Sequence, residues 1–387
     1  MEYKPVILIV GGPDVDGRIP LMQRLHDLQV GAVGSNADLR EKFTQSGFQF
    51  FHYPLYRGIN PLIDLLTLWW LIRLFRSLHS QIVHTFDTKP GVWGRLAAWM
   101  AGVPYIIGTL PGLGSLYSRN DLRTRVKRWV YEPLQKAACH ISNLTIFQNS
   151  EDLELFVNKG ITPRHKATVM AGSGVDSRRF NPKKFSTEQR QRMRLKLGVS
   201  DDCVVIIMIS RLIRSKGVLE FARAAKSIQE HHPQVSFFLV GVEDNENLDA
   251  LTPDEYAAIK SSVSCLGSRN DIPDLLAISN IFVLPTYYRE GIPRVLLESA
   301  SMGLPIVATR VPGCTEVVKD NVNGLLVPPH DEIALEKAIE ELIRNPVLRS
   351  RLGQESRRLA ESQFDISIVT SQIAAIYKKF LQAENGR

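Results

Sequence analysis

Two glutamates eight residues apart, Glu290 and Glu298, are the clearest chemical signal in this chain of 387 residues. They lie in the stretch IFVLPTYYREGIPRVLLESASMGLPIVATRVPGCTEVVKDNVNGLLVPP, Ile281 to Pro329. Ile281 to Leu284 is an apolar run ending at Pro285, as expected of a buried parallel strand. Glu290, Gly291 and Pro293 form a polar loop, and Pro293 suits the first turn of a helix, where a missing N–H costs nothing. That helix is expected over Arg294–Met302, with Gly303 stopping it. Eight helical residues span about 12 Å, the scale of a diphosphate with a sugar at each end. A helix N-terminus offers N–H donors and a positive dipole end to phosphate oxygens, and carboxylates accept pairs of hydroxyls. One glutamate can then hold sugar hydroxyls and the other a ribose, with the phosphates between them at Gly291-Ile292. The spacing alone fits equally a solvated helix with two unrelated acids.

A second cluster lies upstream. The apolar run Cys203–Ile209 is followed by SRLIRSKG, with Arg211, Lys216 and Gly217. A buried strand, a basic loop and a glycine at a helix start make a phosphate cradle. Further strands are expected at Phe237–Gly241, Val263–Gly267, Pro305–Ala308 and Leu325–Val327, and helices at Glu332–Arg344, Val347–Ser362 and Ile366–Ala383.

The first half of the chain shows the same alternation. Strands read at Val6–Val10, Phe48–Tyr53, Ile82–His84, Tyr105–Gly108, Leu144–Phe147 and Ala167–Met170, and helices near Asn60–Ser80, Trp93–Ala101 and from Ser150. The pattern predicts an α/β fold with parallel sheets and crossover helices. The length accommodates two domains with their own cores, and a linker is expected at about 176–190, where Pro, Lys, Arg and Ser cluster. Gly11-Gly12 after the first strand allow close backbone approach to a ligand. GGPDVDG is not GxGxxG, which argues against a nicotinamide oxidoreductase. Asp14-Val15-Asp16 spells DxD directly after a strand, where it reads as turn chemistry rather than a metal site.

The formal charge is +7. Residues 1–185 hold 23 Lys and Arg against 14 Asp and Glu, whereas the remainder holds 24 against 26. A basic first half suggests an anionic partner there: membrane lipid, a lipid diphosphate or nucleic acid. No apolar run is long enough to span a bilayer, and the start of the chain reads as a strand rather than a signal peptide. Cys139, Cys203, Cys265 and Cys314 are scattered without metal-ligand spacing, the pattern of reduced thiols in a cytoplasmic protein.

EGIPRVLLESASMGLPIVAT resembles the donor-site signature of family 4 retaining glycosyltransferases, and the flanking PGCTEVV and NGLLVPP segments follow in the same order. The resemblance implies a GT-B fold, two Rossmann-like domains facing each other across a cleft. It assigns Glu290 to the transferred sugar, Glu298 to the ribose, and Arg211 and Lys216 to the donor diphosphate. It places the nucleotide base at the loop beginning at Gly267. Arg211, Lys216 and Glu290 become the expected catalytic set, with Gly12, Gly291 and Ile292 completing the donor site. No metal or cofactor is expected, because the nucleotide sugar, most simply a UDP-sugar, is a substrate.

VHTFDTKPGVWGRLAAWMAGVPYIIGTLPGLGSLYS resembles the acceptor domain of bacterial family 4 enzymes that build polyprenyl-diphosphate-linked glycans, including the bacillosamine-diphospholipid N-acetylgalactosaminyltransferases. The matching positions are His84, Lys89-Pro90 and Gly112-Leu113-Gly114. His84 and Asp87 fall at the carboxyl end of a strand, where open α/β sheets place ligands, and Lys89 is expected to meet an acceptor phosphate. Individually, His84 and Asp87 fit as well a core histidine and a helix cap. Many family members carry a histidine where this chain has Pro111. The resemblance also implies an acceptor-binding domain over residues 1–180, a donor-binding domain over 190–364, and a C-terminal helix over 365–387 that crosses back to the first.

Two helices bear on the partner. PLIDLLTLWWLIRLFRSL is apolar on most of its circumference; packing on the sheet is expected, with a membrane-embedded face as the alternative. Asn120 to Ala138 combines five basic residues with Val126, Trp129, Val130 and Tyr131. This is either a membrane-surface helix or a solvated basic face. It lacks the features of a nucleic-acid platform. The expected enzyme is therefore a peripheral protein at the cytoplasmic face of the membrane, moving a hexose or N-acetylhexosamine to a polyprenyl-diphosphate-linked saccharide. A sugar-nucleotide epimerase on the same fold is the alternative, and the Arg/Lys/Glu/Glu set argues against a non-catalytic binding module.

Overall fold

The computed structural model describes residues 5–56, 58, 60–118, 121–245, 247 and 249–385. They form two compact units. One comprises residues up to Ser173 together with those from Ile366 onward, and the other runs from Gly174 to Asp365.

The first unit is built on seven strands: β1 (Ile7–Val10), β2 (Val30–Gly34), β3 (Phe50–His52), β4 (Ile82–Thr85), β5 (Tyr105–Leu110), β6 (Leu144–Phe147) and β7 (Ala167–Val169). All pair in parallel, in the order β3-β2-β1-β4-β5-β6-β7. Ile7 and Ile9 face one layer, which includes Phe43, Phe50 and, from the last helix, Val369, Ile373 and Tyr377. Leu8 and Val10 face the other, with Leu71, Phe75, Ala97 and Ala98. Strands buried on both faces read as continuous apolar runs, which is why β1 and β6 are plain in the sequence. β2, VGAVG, is not, because glycines weaken a strand pattern. The structure shows what requires them. A Cβ on Gly31 would come within 3 Å of Pro5, and one on Gly34 would come as close to Val15 and Phe50.

The second unit carries β8 (Val204–Ile209), β9 (Val235–Val240), β10 (Ser264–Gly267), β11 (Ile281–Leu284), β12 (Ile306–Thr309) and β13 (Gly324–Val327). They are also all parallel, in the order β10-β9-β8-β11-β12-β13. Both sheets are thus Rossmann-like, and each reverses strand order once, between β1 and β4 and between β8 and β11. Ligands of open α/β sheets bind at the carboxyl ends of the strands flanking such a reversal. The loops that matter therefore follow β1, β4, β8 and β11.

The expected linker at 176–190 is corrected. The division falls at Ser173–Gly174, and residues 174–185 pack into the second unit. The Phe180 carbonyl accepts hydrogen bonds from Ser301 Oγ (2.8 Å) and Arg357 Nη1 (2.6 Å), and the Ser177 carbonyl accepts one from Arg357 Nη2 (3.1 Å). A cluster of Pro, Lys, Arg and Ser reads as linker only where nothing holds its backbone, and here one arginine does.

Candidate active site

In the second unit the loops after β8 and β11 are tied together. The Ser215 carbonyl accepts hydrogen bonds from the backbone N–H of Tyr287 (2.9 Å) and Tyr288 (3.1 Å) and from Thr286 Oγ1 (3.0 Å). Gly217, with φ +79°, turns the basic loop into the Val218–His231 helix. Only glycine fits there, since a Cβ would lie 2.1 Å from the Pro285 carbonyl oxygen. This close approach brings Lys216 to Glu290. Lys216 is 7 % exposed, and its ammonium donates to Glu290 Oε1. It also sits 5.5 Å from the centre of the Tyr288 ring. Two of the expected catalytic residues therefore touch.

Arg211 lies in the same loop and is more open. Its Nη1 donates to Asp244 Oδ2 at 2.8 Å. Arg214 acts as a strut. It grips Glu255 with two hydrogen bonds, 2.8 and 2.6 Å, and this guanidinium holds the Glu255 carboxyl down to about 2. Each cation of the loop thus has a carboxylate partner. Sequence reasoning missed Asp244, which lies in a polar loop with no periodicity to mark it. Gly267 ends β10 with φ +65° and open space around it, so the neighbouring loop can approach a ligand closely.

The helix after Glu290 spans Arg294–Ser301, with Pro293 as its N-cap rather than inside its first turn. Gly291 and Ile292 are buried, and the reason is Gly313. Its φ is +85°, and a Cβ there would stand 1.6 Å from the Gly291 carbonyl oxygen and 3.0 Å from that of Glu290. The PGCTEVV turn therefore presses on the helix entrance and fixes Glu290 from behind. Glu298, one helix face further, lies 4.0 Å from Arg294. Burial raises its carboxyl above the ordinary carboxylate range, and Arg294 and Arg179 only partly oppose this. A buried carboxylate held open for hydrogen bonds suits recognition of hydroxyls. The i,i+4 pairing of Arg294 with Glu298 was readable from spacing.

In the first unit the predicted acceptor residues separate into two groups. Asp87, with φ +69°, follows β4, and its Oδ2 accepts the Gly12 backbone N–H at 3.1 Å. Burial pushes its carboxyl upward, Arg18 opposes this, and Asp14 adds to it. Gly12 and Asp87 thus meet at the strand reversal. Gly112 (φ +137°) and Gly114 (φ +58°) shape the loop after β5. Lys89 forms an ion pair with Asp64 at 2.5 Å and donates to the carbonyls of Tyr56 (2.8 Å) and Gly58 (2.6 Å). Its ammonium is thus engaged locally by two carbonyls and one carboxylate, so a phosphate has to compete for it. His84 is a correction. It is wholly buried, with Nδ1 2.7 Å from Tyr377 Oη and Nε2 2.7 Å from Thr109 Oγ1. Burial lowers its pKa to about 3. Both nitrogens are used inside the core, and the residue ties β4 to the last helix instead of meeting an acceptor. The DxD segment forms a short 3-10 turn, Val15–Arg18, in which Asp16 pairs with Lys42 at 2.5 Å.

Among known proteins, residues 20–172 match the family model described as "Glycosyl transferase 4-like domain", and residues 189–359 match "Glycosyl transferases group 1". One relative is the UDP-Gal:alpha-D-GlcNAc-diphosphoundecaprenol alpha-1,3-galactosyltransferase of Escherichia coli, 31 % identical over 85 % of this chain and 83 % of its own. Another is the N,N'-diacetylbacillosaminyl-diphospho-undecaprenol alpha-1,3-N-acetylgalactosaminyltransferase of Campylobacter jejuni, 27 % identical over 94 % and 95 %. Of solved structures, Anabaena HepE in complex with UDP is similar with a TM-score of 0.77, at 20 % identity over 96 % of this chain and 99 % of that one. The epimerase alternative finds no support, since both relatives carry transferase names. Two parallel Rossmann-like sheets, paired cationic and acidic residues at the carboxyl end of the second, and these matches place the chain in the family 4 glycosyltransferases, with the GT-B fold.

Proposed function

We propose that this glycosyltransferase moves a hexose or N-acetylhexosamine, with retention and without a metal, from a UDP-sugar to a polyprenyl-diphosphate-linked saccharide. It works as a peripheral protein at the cytoplasmic face of the membrane, in assembly of a bacterial surface glycan. The supporting observation is the Lys216–Glu290 contact, with Arg211 in the same loop and Glu298 eight residues on. The printed names of the two relatives, both acting on diphosphoundecaprenol-linked sugars, support the acceptor class.

In this reading the donor diphosphate draws Lys216 and Arg211 onto its oxygens. The Glu290 carboxylate, released from part of its ion pair, orients the hydroxyls of the transferred sugar, and Glu298 takes the ribose hydroxyl pair. Attack comes from the same face as the departing diphosphate. The acceptor hydroxyl forms the new glycosidic bond as the bond to the diphosphate breaks, and its proton passes to the leaving phosphate oxygen. Fixed positive charge where negative charge develops is usually the largest catalytic contribution. A glycosidase-type double displacement instead needs a second carboxylate across the scissile bond, a group that same-face attack does not require.

The experiment is nucleoside diphosphate release from UDP-, GDP- and ADP-sugars, with and without a polyprenyl-diphosphate saccharide. Release from a UDP-sugar that requires the acceptor is the expected result. Donor turnover indifferent to the acceptor overturns the proposal.

A further inference from the structure

The Pro61–Leu78 and Leu122–Ile141 helices carry large apolar residues on their outer faces as well as on their buried ones. Leu62, Leu65, Leu66, Trp69 and Trp70 of the first are exposed, Leu62 by 80 % and Trp69 by 51 %. The inward positions Thr67, Leu71 and Phe75 are buried. From residue 62 to residue 72 the only charge is Asp64, which is buried and paired with Lys89. In the second helix Leu122, Val126, Trp129 and Val130 form an exposed stripe at helical spacing, Trp129 by 79 %, while Thr124 and Gln135 are buried. Arg123 and Arg125 are exposed beside the stripe. Surface helices ordinarily turn their apolar stripe inward, and contiguous exposed apolar groups mark an interaction surface.

The placement of these residues gives the surface its meaning. A helix that crosses between parallel strands runs antiparallel to them, so its first turns lie at the carboxyl end of the sheet. One helix precedes β4 and the other precedes β6. The exposed apolar residues sit in the N-terminal halves of both. The Asp64–Lys89 pair fastens the first helix to the first turn of the Thr88–Ala101 helix, whose N-cap is Asp87. Tyr117, just after Gly114, donates to Glu132 of the second helix at 2.8 Å. The apolar rim and the candidate acceptor residues therefore share one end of the sheet. Trp99 and Met100, though exposed, end their helix at the opposite end and are not part of this rim.

We propose that this rim inserts its tryptophans and leucines into the interface of an anionic membrane, so that the carboxyl end of the first sheet faces the lipid from which the acceptor diphosphate emerges. The proposal rests on the lipid-linked acceptor reading. Tryptophan and leucine beside arginine is the composition that binds a headgroup boundary through both apolar insertion and charge. A second copy is the poorer occupant, because a two-fold contact sets the same basic helix against itself. No helix among the described residues is long and apolar enough to cross a membrane, so binding here is to the surface.

The test is flotation of the full chain with phosphatidylglycerol–phosphatidylethanolamine vesicles and with phosphatidylcholine vesicles, at low and high salt. The expected result is binding to the anionic vesicles, with a fraction that survives high salt. The double variant Trp69→Ser, Trp129→Ser loses at least tenfold in partitioning at both salts, and Arg123→Gln, Arg125→Gln loses it chiefly at low salt. Circular dichroism and the thermal midpoint check that the variants fold. Equal flotation of the tryptophan variant and the parent overturns the proposal, as does a concentration-dependent dimer that the same substitutions abolish. Turnover of a water-soluble short-prenyl diphosphate saccharide separates the two readings. Its absence in the parent protein strikes the acceptor assignment, and the vesicle result then decides the surface by itself.

Discussion

Lys216 and Glu290 come from loops 74 residues apart in sequence, yet the ammonium donates directly to the carboxylate. The pair lies where the strand order of the second sheet reverses. Lys216→Ala should lower kcat on the order of 100- to 1,000-fold, the cost of removing one preorganised donor from a developing negative charge. Lys216→Arg should recover little, since a planar fork does not replace a point charge in a tight site. The thermal midpoint should change far less than turnover. Steady-state kinetics with saturating acceptor decides this, and near-parental kcat refutes the role.

Glu298 is expected to act on binding. Glu298→Gln should raise the donor KM about tenfold or more with a smaller effect on kcat, which a KM-against-kcat comparison reads. The same substitution should alter stability. Burial holds the carboxyl above its ordinary value, so folding disfavours the ionised form relative to the unfolded chain. That contribution is full below the ordinary carboxylate pKa and is lost as pH rises through the raised one. The glutamine variant should therefore be more stable than the parent near neutral pH and no more stable in acid. Urea midpoints at several pH values test the sign.

Gly313 offers a backbone test. Alanine there meets both a positive φ and the Gly291 carbonyl at 1.6 Å. Gly313→Ala should cost more than the roughly 1–3 kcal/mol of backbone strain alone and should weaken donor binding through Glu290. Gly102→Ala is the control, because φ is similarly positive (+78°) but nothing lies within 4 Å of the new Cβ. Comparable losses at the two sites would contradict the packing argument.

The buried His84 sets a pH dependence of the opposite sign. Its folded pKa, lowered to about 3, lies below the ordinary 6.5. The stability it contributes is full above 6.5 and is lost as pH falls toward 3. Tyr377→Phe, removing the hydroxyl at Nδ1, should cost about 1 kcal/mol near neutral pH and leave the acceptor KM unchanged. A large change in KM would return His84 to the substrate site.

Much of this was legible in the amino-acid order, for identifiable reasons. Buried parallel strands such as Leu144–Phe147 and Ile281–Leu284 announce themselves because both faces must be apolar, and their bounds match the structure residue for residue. The Glu290–Glu298 pair stood out by its spacing, although the helix covers only the second half of that separation, from Arg294 on, and Glu290 stands in the loop before it. β2 did not, because its glycines answer to Pro5, Val15 and Phe50, neighbours that only the fold supplies. His84 misled because the carboxyl end of a strand is a favoured place for ligands, and nothing local says that a tyrosine 293 residues later will occupy its nitrogen. Asp244 and Lys89 show the same limit: the partners of a charge are decided by tertiary contact.

The final helix has a consequence for biosynthesis. Val369, Ile373 and Tyr377 close one layer of the first unit, yet the ribosome makes them after the entire second unit. The nascent sheet must emerge without Tyr377 on His84 and Phe380 on Tyr105 and wait, open to chaperones or to wrong partners, until the last segment arrives. Messages truncated before residue 366 would leave that layer open for good, and such fragments should be substrates for quality control even when the second unit has folded.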